Sequence, residues 1–138
     1  MNALIATLLA WIVSQTGLSV RDVPEVKLVS RTEMVTRFYG SEKPNDLTLQ
    51  ALYDRSAHVI YLPQGWLPDD LRKKSALLHE LVHHVQALNK VDLPCPGAYE
   101  REAFDLQLAW LRQNGVVDPY SLIGIDEFTI RVVGACAE

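Results

Sequence analysis

The chain is poor in the features that would assign it to several large classes. It has two cysteines in 138 residues, Cys95 and Cys136, and neither has a CxxC partner, so a structural zinc knuckle is not expected. No apolar run reaches the roughly 20 residues of a membrane-spanning helix, and no membrane partner is expected. Thirteen Lys and Arg stand against seventeen Asp and Glu, a net charge of −4. No basic patch with interleaved aromatics occurs, so no nucleic-acid partner is expected either. Internal repeats and low-complexity segments are absent. What is present is an ordinary globular balance, 49% hydrophobic and 22% charged, at a length that suits a single domain 1–138 able to bury its own core.

Leu4–Val13 has the length of a signal-peptide core, but no Lys or Arg precedes it and no small-x-small site follows. It is read as a core helix from Ala3 to Gln15, stopped by Gly17. That reading favours a cytoplasmic over a periplasmic or secreted location. Val26–Ser30 alternates as a strand does, and Thr32–Tyr39 reads as a short helix stopped by Gly40. Ser41–Asp46 reads as a loop. Leu49–Tyr53 and Val59–Leu62 form a hairpin around the turn Asp54-Arg55-Ser56-Ala57. Pro63–Pro68 breaks the pattern before a long amphipathic run with Asp69 as its N-cap. Val91–Gly97, with Pro94 and Pro96, is a stiff loop. A second strong helix covers Ala98–Gln113 and ends at Asn114-Gly115. Asp118-Pro119 is a turn, and one or two short helices run on to Val133.

The long run contains His79-Glu80-Leu81-Val82-His83. Two histidines four apart on a helix lie one turn apart, so both imidazoles can reach one metal ion. The glutamate after the first histidine sits beside that face, within reach of a metal-bound water. This is the His-Glu-x-x-His zinc pattern, with Glu80 as general base. Leu77, Leu78, Leu81, Val82, Val85 and Leu88 share one apolar arc at 100° per residue, with His79 and His83 at its flank. Arg72, Lys73 and His84 fall on the polar side. The alternative is a surface helix that merely carries two histidines and a carboxylate.

A catalytic zinc takes three protein ligands and keeps one open position. His84 points away from its neighbour, and its simplest roles are an i, i+4 contact with Glu80 or a polar surface position. His58 lies in the hairpin turn. The second helix offers Glu100 and Glu102. Ala103, Phe104, Gln107, Leu108, Trp110 and Leu111 lie within about 80° of Glu100, which puts that carboxylate on the apolar face. Glu102 falls on the opposite side with Asp105. A carboxylate on an apolar face needs a partner, and a metal ion is a natural one. Otherwise Glu100 simply favours the helix N-terminus.

His79–His83 followed by a glutamate on the next helix resembles the gluzincin type of zinc metallopeptidase. Glu100-Arg101-Glu102-Ala103 matches the Glu-x-x-Ala start of that type's third-ligand helix. The next residue is Phe104, where the family has a polar residue behind the histidines, so Gln107 or Asp105 would take that part. The wider run His-Glu-Leu-Val-His-His-Val-Gln, with Cys-Pro before the Glu helix, is similar to a small uncharacterised bacterial family. The resemblance implies an α+β fold, a minimal zincin-like domain. About three strands would pack on the active-site helix, and the C-terminal part would be helical. It further implies that an edge strand before that helix binds extended substrate, a place Val59–Leu62 occupies in the chain.

The expected protein is therefore a zinc peptidase acting on a peptide or protein substrate, with Zn²⁺ on His79, His83 and Glu100. Tyr99, Tyr120 and His84 are candidate oxyanion donors. The alternative is a zinc-stabilised binding or regulatory module, because 138 residues leave little material for a deep cleft. Cys95 lies in a Pro-Cys-Pro loop and Cys136 near the C-terminus, where a tether would hold a free end, and a disulfide between them is expected. Its closed loop is worth roughly 3 to 4 kcal/mol in the chain-entropy account. It would also point to an oxidising compartment, against the reading of the N-terminus.

Overall fold

Four consecutive residues, Val59, Ile60, Tyr61 and Leu62, are buried, the pattern of a strand covered on both faces. They belong to the middle strand of a three-stranded sheet in a computed structural model that describes residues 1–39 and 50–137. The described elements are α1 (Asn2–Thr16), β1 (Glu25–Val29), α2 (Arg31–Tyr39), β2 (Leu52–Asp54), β3 (Val59–Pro63), α3 (Leu71–Leu88), α4 (Pro96–Gln113), α5 (Pro119–Ile123) and α6 (Glu127–Val133). The fold is α+β, with a small mixed sheet against α3 and a helical C-terminal part, as expected.

The sheet order is β1-β3-β2. β1 runs parallel to β3, from Glu25 opposite Val59 to Val29 opposite Pro63. β2 runs antiparallel, with Tyr53 opposite Ile60. Val59–Leu62 is thus not the edge strand. The edge beside the α3 helix is β2, because β1 returns through α2 to cover the other side of β3. Side-chain alternation then sorts the faces. Ile60 and Leu62 meet Leu8, Ile12, Leu78, Leu81 and Val85 in the main core. Val59 and Tyr61 meet Met34 of α2 in a smaller one.

α1 contributes Ile5, Leu8, Leu9 and Ile12 to the main core and ends at Gly17 in the left-handed conformation that stops a helix. Among the described residues no helix is long and apolar enough to cross a membrane. Some boundaries differ from the sequence reading. The N-cap of α3 is Asp70, which accepts the Lys73 N–H at 2.7 Å, while Asp69 binds Lys73 Nζ at 2.9 Å. α4 starts at Pro96 rather than Ala98, since a proline lacks only a donor that the first turn would leave unpaired anyway. β2 is Leu52–Asp54. Leu49 and the Gly40 and Ser41–Asp46 readings lie outside the described residues.

Cys95 and Cys136 form the expected disulfide, across 41 residues. It joins the residue before α4 to the segment after α6. Packing there is close enough to need glycine. A Cβ on Gly97 would stand 2.7 Å from the carbonyl oxygens of Val133 and Ala135, and one on Gly134 would stand 2.8 Å from the Arg101 Cβ.

Candidate metal centre

The centre forms where α3 and α4 pack antiparallel, the largest helix–helix interface of the fold. One turn of α3 brings His79 and His83 together, with ring centroids 5.0 Å apart. The Phe104 ring stands edge-on to His79 at 4.5 Å and fixes its plane from the α4 side. Ligand atoms of His79, Glu80 and His83 lie within 4.8 Å of one another, a cluster that can hold a metal ion.

The hydrogen bonds decide which ring nitrogens are available. Gln107 Nε2 donates to Ser75 Oγ at 3.1 Å, so its Oε1 is the atom 2.9 Å from His79 Nδ1. A carbonyl only accepts; His79 therefore carries its proton on Nδ1 and a lone pair on Nε2. His83 repeats the arrangement with different partners. Gln86 Nε2 donates to Glu102 Oε1 at 3.1 Å and to the Tyr99 carbonyl at 3.2 Å, which leaves Gln86 Oε1 to accept from His83 Nδ1 at 2.8 Å. Both Nε2 lone pairs then face the Glu100 carboxylate, at 3.2 Å from His79 and 2.6 Å from His83. The closer contact lacks hydrogen-bond alignment, so the buried His83 Nε2 is left without a hydrogen bond.

Two lone pairs and an anion repel one another, and only a proton or a cation among them makes the arrangement favourable. The charges of the neighbouring groups act in the same sense. Burial works against charge on His83, but contact with Glu100 and the charge of Glu80 outweigh it and lift the imidazole to about 9. Burial likewise opposes charge on Glu100, yet both histidines hold its carboxyl far below the usual carboxylate range. Two imidazoles and a carboxylate form a donor set that suits zinc, and the unbonded nitrogen has the place of a ligand atom. The residues fit a metal.

Glu80 lies beside that trio, with a carboxylate oxygen within 4.8 Å of a ring nitrogen of each histidine. It is nearly buried, and its Oε1 accepts the Tyr53 backbone N–H from the edge strand β2 at 3.1 Å. Burial pushes its carboxyl up despite the neighbouring histidines. Glu80, His83, Glu100, Leu52, Tyr53 and Tyr99 are among the residues lining a cleft of about 250 Å³.

The residues proposed to orient the histidines divide cleanly. Gln107 does hold His79, whereas Asp105 is exposed. Glu102, read as lying away from the site, instead braces Gln86 and through it His83. Gln86 was missed, although its position three residues after His83 on the same helix puts it within reach. His84 is not a polar surface residue: it is fully buried, and its hydrogen bonds go to other segments rather than to Glu80. Its Nε2 donates to the Asp22 carbonyl at 2.7 Å and its Nδ1 accepts from the Tyr53 hydroxyl at 2.9 Å. Burial holds its pKa below the ordinary value, which keeps it neutral. Burial also raises the Tyr53 hydroxyl to about 12, so it remains a donor. His58 is exposed in its turn, as expected, with its ring 5.5 Å from that of His84. Of the oxyanion candidates, Tyr99 donates to the Val91 carbonyl at 2.6 Å and accepts from the Leu93 N–H. Tyr120 sits on α5 beside Arg112 and does not line the cleft. His84 faces away.

The sequence model of one family, a domain of unknown function designated DUF6647, matches residues 1–126. No curated protein and no solved structure matches the chain.

Proposed function

This chain belongs to the DUF6647 family, a domain of unknown function, and from the geometry of its metal centre we propose that it is a zinc-dependent peptidase. The observation that carries this reading is the pair of Nε2 lone pairs turned onto Glu100, with Glu80 held beside them by a backbone donor. His79, His83 and Glu100 would hold the zinc, three ligands in the pattern of a catalytic site. Glu100 is preferred to Glu80 as the third ligand because it touches both Nε2 atoms, while Glu80 is anchored to β2. The bound ion would acidify a water and polarise the peptide carbonyl. Glu80 would take the proton of the attacking water on the oxygen that Tyr53 leaves free and pass it to the departing amine. A carboxyl raised by burial is the better base for that task. Structural zinc sites favour four Cys or His ligands and have no use for such a base.

The second reading is a zinc-stabilised binding or regulatory module. It draws support from the cleft, whose roughly 250 Å³ falls below the usual 300 to 1,000 Å³ of small-molecule sites. Glu80→Gln separates the two. As a peptidase, the variant should keep about one zinc per chain and its melting temperature while losing roughly 10² to 10⁴ in cleavage of a whole-proteome digest. Identical digests from wild type and variant, with zinc in both, would favour the module. The disulfide supports a place of action outside the reducing cytoplasm, against the reading of the N-terminus.

A further inference from the structure

Among the described residues, the proposed catalytic groups leave one cation of the cleft unused. Arg55 lies in the turn between β2 and β3 and lines the same cleft as Glu80, His83 and Glu100. Its guanidinium sits 5.6 Å from the centroid of the Tyr99 ring. That ring is itself fixed, since its hydroxyl is bonded to Val91 and Leu93. The adjacent Asp54 does not neutralise Arg55. Its Oδ1 accepts from Ser56 N, Ser56 Oγ and Ala57 N, at 3.0, 2.7 and 3.2 Å, and so holds the turn together. No ion pair joins Arg55 to any described carboxylate. Glu80 is tied to the Tyr53 N–H and Glu100 to two histidines, so the acidic groups of the cleft are engaged as well.

We propose that Arg55 is a specificity-determining residue, which captures a carboxylate of a peptide lying in the cleft against Leu52 and Tyr99. The inference rests on the peptidase reading for what happens next to that peptide, but the capture itself is a binding event. An exposed guanidinium with its fork of donors free is suited to a carboxylate, and an aromatic face beneath it limits the freedom it loses on binding. The carboxylate has two sources, the C-terminus of the peptide or an acidic side chain.

The test is calorimetric, on zinc-loaded protein carrying Glu80→Gln so that the peptide survives the titration. The probes are acetyl-Ala-Phe-Ala with a free C-terminus, the same peptide amidated, and two amidated peptides with Glu or Gln in place of the last Ala. One of the two carboxylate-bearing peptides should bind roughly 10-fold or more tightly than its neutral counterpart, the size of one charge-assisted contact. Which one it is identifies the source. Arg55→Met should abolish that preference and Arg55→Lys should restore part of it, while zinc content stays at the level of the parent. A preference that survives Arg55→Met would come from the metal and overturns the proposal, as does equal binding, or no binding, of acid and neutral peptides. Failure of the peptidase reading shows separately, as a digest unchanged by Glu80→Gln alone.

Discussion

His83 and His84 are adjacent in sequence and point about 100° apart around α3, one into the cleft and the other away from it. On the cleft side, His83 gives its Nδ1 proton to Gln86 and turns Nε2 onto an anion, where only a further proton or a cation relieves it. On the covered side, His84 gives its proton to the Asp22 carbonyl and receives another from Tyr53, so both nitrogens are satisfied without charge. The two rings have the same chemistry and the same backbone. Their partners make one a ligand candidate and the other a rivet between α3, β2 and the segment before β1. Burial alone does not distinguish them, since both are largely buried; the unmatched acceptor does.

Substituting each ring in turn breaks the comparison most sharply. His83→Ala should take zinc from about one per chain to near none in a metal assay. His84→Ala should leave zinc stoichiometry intact and cost about 3 kcal/mol in chemical denaturation, because it leaves Tyr53 and the Asp22 carbonyl unpaired around a cavity. Zinc lost equally from the two would mean that the faces are not independent. The glutamine braces come next. Gln107→Ala or Gln86→Ala should weaken zinc binding by about 10- to 100-fold in competition with a chelator. Glu102→Ala should follow Gln86→Ala at a smaller size, since it removes only one of the two acceptors that orient the amide.

The smallest effect is in the pH dependence of the metal-free protein, where the two rings have opposite signs. The folded pKa of His83 is raised from 6.5 to about 9, so its contribution is complete below about 6.5 and is lost as pH rises through 9. His84 is depressed, so its contribution is present above 6.5 and lost as pH falls. Relative to wild type, His83→Ala should remove stability mainly on the acid side of pH 9, and His84→Phe mainly above 6.5. Melting curves from pH 5 to 9 that shift in parallel for both variants would refute the opposed assignment. Zinc reverses the sense at His83, because a ligand must be deprotonated, so the stabilisation added by zinc should grow with pH over that range.

Much of the cleft side of this comparison was legible in the sequence. Fixed helical spacing places His79, Glu80 and His83 without any knowledge of the fold, and the apolar face of α4 singles out Glu100 by the same geometry. The covered side was only half legible. Helical rotation sets His84 beside Leu77, Leu81 and Leu88 at the margin of the apolar arc of α3, but the partners that pair both of its nitrogens, Tyr53 and Asp22, come from segments 31 and 62 residues away. Sheet order was hidden for the same reason. Local patterns identified the hairpin, but β1 takes the far side of β3 through a parallel pairing that no short-range signal encodes, and this moves the edge to β2. Cys95–Cys136 was inferred from a stiff loop and a chain end, and the glycines that let those segments meet, Gly97 and Gly134, show their purpose only in the packed structure.

The separation of the ligands along the chain has a consequence for the order of folding. His79 and Glu100 are 21 residues apart on two helices joined by a short connection, whereas β1 must find β3 across α2 and β2. Local contacts form faster than distant ones because less chain entropy is lost in closing them. The α3–α4 hairpin can therefore gather His79, His83 and Glu100 while the sheet is still unmade, and its apolar face would then serve as the surface on which β3 and α1 condense. On the proposed zinc reading, an ion would act as a template for assembly, and zinc present from the start of refolding should speed the recovery of native structure beyond what its effect on final stability requires.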